Sequence, residues 1–166
     1  MSERHSAPGV TFRRADVDDI ESIVQFNLLL AAETEEKSLQ PDTIREGVLR
    51  GMQQFPEAQY FVAEYEGQVI GQLLFTREWS DWRNGWMLWL QSVYVQQEFR
   101  SRGVFRGLLD DSLATVNTDS KAIGLRLYVE NKNNEAIAAY QRLGFSDAGY
   151  QILEIVPLSG KLQTES

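Results

Sequence analysis

Residues 100 to 107 read Arg-Ser-Arg-Gly-Val-Phe-Arg-Gly and lie between a strongly apolar run and a helix-like one. A helix N-terminus leaves backbone N–H groups without intrahelical acceptors and carries the positive end of the helix dipole, so it attracts anions. Three arginines lie within seven positions here, in a chain whose formal net charge is -8. The stretch therefore predicts a phosphate site, with a glycine turn bearing solvated arginines as the simpler alternative.

The glycine spacing of this stretch fits neither the G-x-x-x-x-G-K-[ST] phosphate loop nor the G-x-G-x-x-G dinucleotide fingerprint. It resembles the pyrophosphate-binding turn of the GNAT superfamily of acyl-CoA-dependent N-acyltransferases, [QR]-x-x-G-x-[GA]. Arg100 and Gly103 match that pattern, and Phe105 stands where the family usually has Gly or Ala. The resemblance implies that the backbone N–H groups of residues 102 to 107 hold the pyrophosphate of acetyl-CoA. The residues implied around that group are Arg100, Arg102, Gly103, Val104, Phe105, Arg106 and Gly107.

A second stretch, residues 133 to 145, resembles the family pattern N-x-x-A-x-x-x-Y-x-x-x-G-F at every specified position. The resemblance implies that Tyr140 lies near the CoA sulfur and protonates the departing thiolate, and that Asn133 contacts the cofactor. Thiols titrate near 8.5 and phenols near 10, so a phenol can share its proton with a developing thiolate. Without the resemblance, Asn133 is a helix cap, and the spacing of Ala136, Tyr140 and Leu143 indicates only a buried helix face.

Composition excludes several other classes of protein. The chain has 166 residues and no cysteine, and its single histidine, His5, lies in a polar N-terminal stretch. These facts exclude a disulfide framework, a cysteine nucleophile, thiolate metal sites and a Ser-His-Asp triad, so we expect no metal. Apolar runs reach only five residues and residues 1 to 9 lack a signal-peptide centre, so we expect a cytoplasmic protein without a membrane span. Its acidic charge disfavours nucleic acid.

Hydrophobic periodicity and turn residues predict an α/β (α+β) fold in the order βααβββαβαβ, with a mixed sheet. Residues 10–157 are predicted to form a single domain between tails at 1–9 and 158–166. The predicted helices are one capped by Asp16 and Asp19, Thr43–Met52, Val104–Thr118 and one beginning at Asn133. The predicted strands are Val10–Arg14, Gln59–Tyr65, Gln68–Arg77, Trp86–Val95, Ala122–Glu130 and Phe145–Val156.

This order is also that of the GNAT fold. The resemblance implies that the parallel strands Trp86–Val95 and Ala122–Glu130 splay apart and admit the pantetheine arm of the cofactor. Backbone groups of Val93, Tyr94 and Val95 would pair with the arm, and one N–H would polarise the thioester carbonyl. Ordinary sheet pairing is the alternative for these three residues.

The acceptor side is less clearly marked. An amine with a pKa near 10.4 must lose a proton before it attacks, which calls for a base. Several GNAT members place a glutamate on the central strand, whereas residues 86–93 contain no carboxylate. The candidates are Glu33, Glu35 and water, with a solvated helix end as the alternative for both glutamates.

A second candidate patch lies in the predicted loop at residues 78–85. Trp79, Asp81 and Trp82 suit a cationic amine, because aromatic faces and carboxylates both attract ammonium groups. The alternative is a loop whose tryptophans cover the end of the sheet.

These observations favour direct acetyl transfer from acetyl-CoA to a primary amine of a small molecule or peptide, in a ternary complex. A non-catalytic acyl-CoA-binding module on the same fold is the alternative, and a nucleic-acid or protein scaffold fits least. The resemblance is also compatible with a homodimer.

Overall fold

The structure is a computed structural model that describes residues 7–35, 38–119 and 121–156. Its sheet has five strands whose spatial order equals their order in the chain. The first three pairings are antiparallel and the last is parallel, which confirms the predicted mixed sheet. The strands are β1 (Val10–Arg14), β2 (Ala58–Tyr65), β3 (Gln68–Ser80), β4 (Gly85–Val95) and β5 (Ala122–Leu127).

Four α-helices follow the predicted order: α1 (Ile20–Glu35), α2 (Pro41–Met52), α3 (Val104–Asp119) and α4 (Asn134–Arg142). A short 3-10 turn leads into α1 and carries the predicted capping box, in which the side chains of Asp16 and Asp19 each accept a backbone N–H. Asp19 also binds Arg13 through both carboxylate oxygens, at 2.7 and 2.9 Å. This pair joins the helix entry to β1.

The helices α1 and α2 lie on one face of the sheet, where they form a buried cluster with β2 and β3. Its members are Ile23, Val24, Val48, Tyr60, Val62 and Leu74. The helix α3 contacts β1 at Phe12, which pairs with Ala63. Because side chains alternate along a strand, Ala63 faces away from Val62, so α3 covers the opposite face.

The predicted final strand, Phe145–Val156, is wrong, because residues 145–156 are irregular in the structure. Gly149 has a φ of 73° and donates its N–H to the Asp147 side chain at 2.7 Å, which breaks the extended run. From Tyr150 on, the apolar side chains are exposed. Apolar, β-branched composition favours a strand only where a neighbouring strand is present to pair with it.

The chain divides into two compact units, Met1–Glu130 and Asn131–Ser166. The sheet and helices α1 to α3 belong to the first unit, and α4 belongs to the second. Within the described ranges, no helix combines the length and the apolar character needed to cross a bilayer.

Candidate acyl-CoA site

The strand β4 is longer than its partner β5. The parallel ladder ends where Leu90 pairs with Leu127, while β4 continues to Val95. Residues 91–95 therefore extend beyond the ladder with β5, as expected if the two parallel strands separate here.

A bulge in β4 lies just beyond this separation. In the ladder with β3, Tyr94 pairs with Gln72 and Gln91 pairs with Leu74. Between these two pairs β4 advances by three residues while β3 advances by two. Ser92 lies within the bulge at a φ of 50°, a left-handed conformation that is uncommon outside glycine. Bulges bend and twist the strand that carries them, so this one turns the end of β4 away from a regular ladder.

The turn at residues 100–107 has the backbone that the sequence predicts. Ser101 and Gly103 have φ values of 60° and 79°, and α3 begins at Val104. The N–H of Gly107 donates to the Gly103 carbonyl at 2.9 Å, so the amides of residues 104–106 precede this bond, at the end of the helix where N–H groups lack intrahelical acceptors.

Gly107 has a packing role that the sequence did not predict. Its N–H is used within the helix, and a Cβ added to it would lie 2.5 and 2.8 Å from atoms of the Phe12 ring. The missing side chain lets α3 approach β1.

Arg100 binds protein groups on both sides of its guanidinium. Its Nε donates to the Val95 carbonyl at 2.8 Å, and its Nη2 donates to Glu33 Oε2 at 2.7 Å. Glu33 Oε1 accepts a hydrogen bond from the Tyr94 hydroxyl at 3.0 Å. Burial, followed by this bond to Glu33, raises the pKa of Tyr94. The end of α1, the end of β4 and the turn are therefore joined by one hydrogen-bonded cluster.

The other two arginines of the turn are more loosely held. The Arg102 guanidinium lies 5.7 Å from the centre of the Phe99 ring, and Arg106 Nε lies 3.4 Å from an Asp110 carboxylate oxygen. The Arg106 side chain is more than half exposed. Both can turn toward an anion at the start of α3 at small cost.

The predicted acceptor patch is only partly a loop, because β3 continues through Glu78 and Trp79 to Ser80. Trp79 pairs with Trp86 in the ladder, and their rings pack edge to face at 5.1 Å. Trp79 is five residues from Leu74, so strand alternation places it on the face opposite α1 and Glu33.

The rest of the acceptor patch lies in the tight turn after β3. Asp81 accepts the Trp82 N–H at 2.9 Å, and Trp82 is 87% exposed. Glu35 is the last residue of α1, and its side chain lies outside the described residues.

Another cluster, on the sheet face that carries α1, was not predicted from the sequence. The Trp89 ring stacks on Tyr128 at 4.5 Å, and its Nε1 donates to Glu78 at 2.8 Å. Arg126 reaches the same carboxylate at 3.2 Å. The sequence does indicate that Arg126 and Tyr128 share one face of a strand, because they are two residues apart. Their proximity to Trp89 depends on the β4–β5 register, which the sequence does not give.

The second unit carries the predicted tyrosine. Asn133 caps α4, because its Oδ1 accepts the Ala136 N–H at 3.1 Å. The Tyr140 ring packs against Phe145 at 5.6 Å, and burial raises the pKa of the Tyr140 phenol. The phenol is therefore protonated across the neutral pH range.

No group of three or more His, Cys, Asp or Glu side chains among the described residues could hold a metal ion.

The family model described as the acetyltransferase (GNAT) family matches residues 25–145. An N-alpha-acetyltransferase of Saccharolobus solfataricus is 27% identical over 154 residues, which cover 87% of this chain and 85% of the relative.

Two solved structures are also similar to this chain. A possible acetyltransferase from Clostridium difficile 630 is 38% identical with a TM-score of 0.80, covering 88% of this chain and 96% of that one. A predicted acetyltransferase with acetyl-CoA from Clostridium acetobutylicum is 16% identical with a TM-score of 0.71, covering 87% and 96%, and shows a likeness of fold alone. The region matched by the family model includes both the turn at residues 100–107 and α4.

Proposed function

Since this chain belongs to the GNAT acetyltransferase family and is a GNAT-type N-acetyltransferase, we propose that it transfers the acetyl group of acetyl-CoA directly to a primary amine. The observation that carries this proposal is the open end of β4, which is joined through Arg100 to a turn that exposes helix N-terminal amides. The open end of β4 can pair with an extended thioester arm, and the amides of the turn can bind a pyrophosphate.

Donor binding is divided between these two elements. The amides of residues 102–106, with Arg102 and Arg106, hold the pyrophosphate. Backbone groups of Val93, Tyr94 and Val95 pair with the arm, and one N–H polarises the thioester carbonyl. Arg100 already binds Glu33 and the Val95 carbonyl, so we assign it to fixing the end of β4 beside the turn.

The transfer itself needs no enzyme nucleophile. The amine nitrogen attacks the acetyl carbon, the C–N bond forms, and the C–S bond breaks. Tyr140 donates its phenolic proton to the departing thiolate, and the proton lost by the amine goes to Glu35 or to water. Asn133 caps the helix that carries Tyr140, and we assign it to contact the donor.

The acceptor that fits this site best is the α-amino group of a peptide. An α-amine titrates near 7.7–8.0, against about 10.4 for a lysine amine, so a sizeable fraction is already neutral at neutral pH. A central strand without a carboxylate can serve such an acceptor. The similarity to an N-alpha-acetyltransferase supports the same choice.

Release of free CoA thiol in the presence of an amine panel tests this function. The panel contains a peptide with a free α-amine, the same peptide blocked at its N-terminus with one free lysine, and a small diamine. We expect amine-dependent release that is fastest with the α-amine. Binding of acetyl-CoA without release above background for any amine would instead support the non-catalytic alternative.

Tyr140→Phe tests the acid. General acid catalysis contributes about 10²–10⁴-fold, so kcat should fall by at least about a hundredfold while acetyl-CoA still binds. Tyr150→Phe, at an exposed position of the same unit, is the matched control and should retain full activity. Full activity of Tyr140→Phe would remove Tyr140 as the acid.

A further inference from the structure

Gln72 is a fully buried amide at the centre of the sheet. It lies on β3, opposite the bulge of β4, and its side chain has 0% exposure. Burial of an amide costs free energy unless its polar atoms find partners. A residue of this kind among apolar neighbours needs a reason beyond filling space.

Both hydrogen bonds of this amide are donated to groups that flank the open end of β4. Its Nε2 donates to Asn27 Oδ1 of α1 at 2.8 Å and to the Ser92 carbonyl at 3.1 Å. Its Oε1 has no hydrogen-bond partner among the described residues. The side chain therefore connects α1 to the one residue of β4 that has a positive φ.

Ser92 is strained, and the bond from Gln72 offsets that strain. A non-glycine residue at a φ of 50° lies in a sparsely populated region, which persists only where neighbouring contacts hold it. The Gln72 amide fixes the Ser92 carbonyl in the direction that the bulge requires. The bulge lies between the Gln91 and Tyr94 pairs, directly after Leu90, where pairing with β5 ends, so it includes Val93 of the segment 93–95.

We propose that Gln72 is a positioning residue for the acyl-CoA arm, acting through the Ser92 bulge on the open edge of β4. This inference rests on the proposed function, because it assigns Gln72 to the binding of the same thioester. Without the amide, the bulge loses its fixed direction and the edge is no longer preformed for the donor.

Gln72→Met, measured by calorimetric titration with acetyl-CoA and by steady-state kinetics, tests the proposal. One buried hydrogen bond corresponds to roughly a five- to tenfold change in an equilibrium constant. We therefore expect the Kd and the KM for acetyl-CoA to rise by about that factor. Gln72→Asn, whose shorter side chain cannot reach both acceptors, serves the same test if Gln72→Met does not fold.

Gln59→Met is the matched control for loss of a buried glutamine. Gln59 lies on β2, which does not pair with β4, and it is also buried. Its side chain donates to the Pro56 carbonyl at 3.1 Å. This variant should lose stability without any change in acetyl-CoA affinity. Equal weakening of acetyl-CoA binding in both variants would overturn the proposal.

Ser92→Gly in the Gln72→Met background separates positioning from packing. Glycine adopts positive φ without steric cost, so it should restore the bulge and recover at least half of the lost affinity on a logarithmic scale. No recovery, or a Gln72→Met Kd equal to that of the unmodified protein, would overturn the proposal. Failure of the unmodified protein to bind acetyl-CoA would instead remove the proposed function.

Discussion

Glu33 shows how a residue's partners decide its role. Both of its carboxylate oxygens accept hydrogen bonds, from Tyr94 and from Arg100. Through the second of these bonds Glu33 holds the Arg100 guanidinium beside β4, where Arg100 also donates to the Val95 carbonyl. We therefore infer that it positions the donor site.

Glu33→Gln should raise the KM for acetyl-CoA several-fold, because it removes the charge that holds Arg100, and should leave the shape of the kcat–pH profile unchanged. Glu46→Gln, which weakens the exposed Glu46–Arg50 pair of α2, is the control and should alter neither quantity. Loss of the acidic limb of the kcat–pH profile in Glu33→Gln would show instead that Glu33 is the base.

The Asp19 carboxylate is expected to make folding stability depend on pH. Burial acts to raise its pKa, but bonds from Arg13 and the Asp16 amide outweigh burial and lower it. A lowered folded-state pKa stabilises the fold above the unfolded value near 3.9, and this contribution is lost as pH falls through the folded value. Asp19→Asn should cost about 2 kcal/mol at pH 7 in urea unfolding, and the difference should shrink below about pH 4. A pH-independent difference would contradict this account.

The sequence pointed to individual residues and not to their partners. Arg100, Gly103, Asn133 and Tyr140 each lie in a local motif, so short spacings were enough to select them. The bonds of Glu33 to Tyr94 and Arg100 span 61 and 67 positions in the chain. Such contacts depend on the packing of α1 against the sheet, which no local pattern contains.

At the scale of elements, the approach of α3 to β1 depends on one missing side chain. Gly107→Ala places a Cβ 2.5 Å from the Phe12 ring, and overpacking of this kind costs about 1–3 kcal/mol. For a chain of this size the midpoint of thermal unfolding should fall by several degrees.

Gly47→Ala, in the middle of α2, is the matched control because nothing lies within 4 Å of its added Cβ. It should raise the melting midpoint slightly, since alanine favours helix by about 0.5–1 kcal/mol. Thermal scans of the two variants side by side measure both effects. Equal shifts of both would show that the contact with Phe12 does not limit the packing of α3.

Periodicity and capping residues predicted where the helices and strands lie. They predicted the ends of these elements less accurately. The turn between Tyr65 and Gln68, the start of α3 and the cap of α4 were predicted correctly, because each depends on residues near its own position. The extension of β3 to Ser80 and the loss of the strand at residues 145–156 depend on whether a partner strand is present. The bulge at Ser92 likewise involves another strand, because the Gln72 amide of β3 donates to the Ser92 carbonyl.

At the scale of the whole molecule, the mixed sheet and the separation of its parallel strands were expected from the sequence and the family resemblance together. The identity of the acceptor was not, because the candidate acceptor residues lie on different faces of the sheet and in the turn after β3. The proposed donor site consists of backbone groups of consecutive residues, which a motif can mark. The candidate acceptor residues are side chains of separate elements, which no single motif contains.

A crystal structure with acetyl-CoA bound tests the central claim most directly. We predict the pyrophosphate within hydrogen-bonding distance of the amides of residues 102–106, the arm paired with residues 93–95 of β4, and the sulfur within reach of the Tyr140 hydroxyl. A pyrophosphate bound elsewhere while residues 100–107 contact only protein, or a sulfur far from Tyr140, would contradict the account.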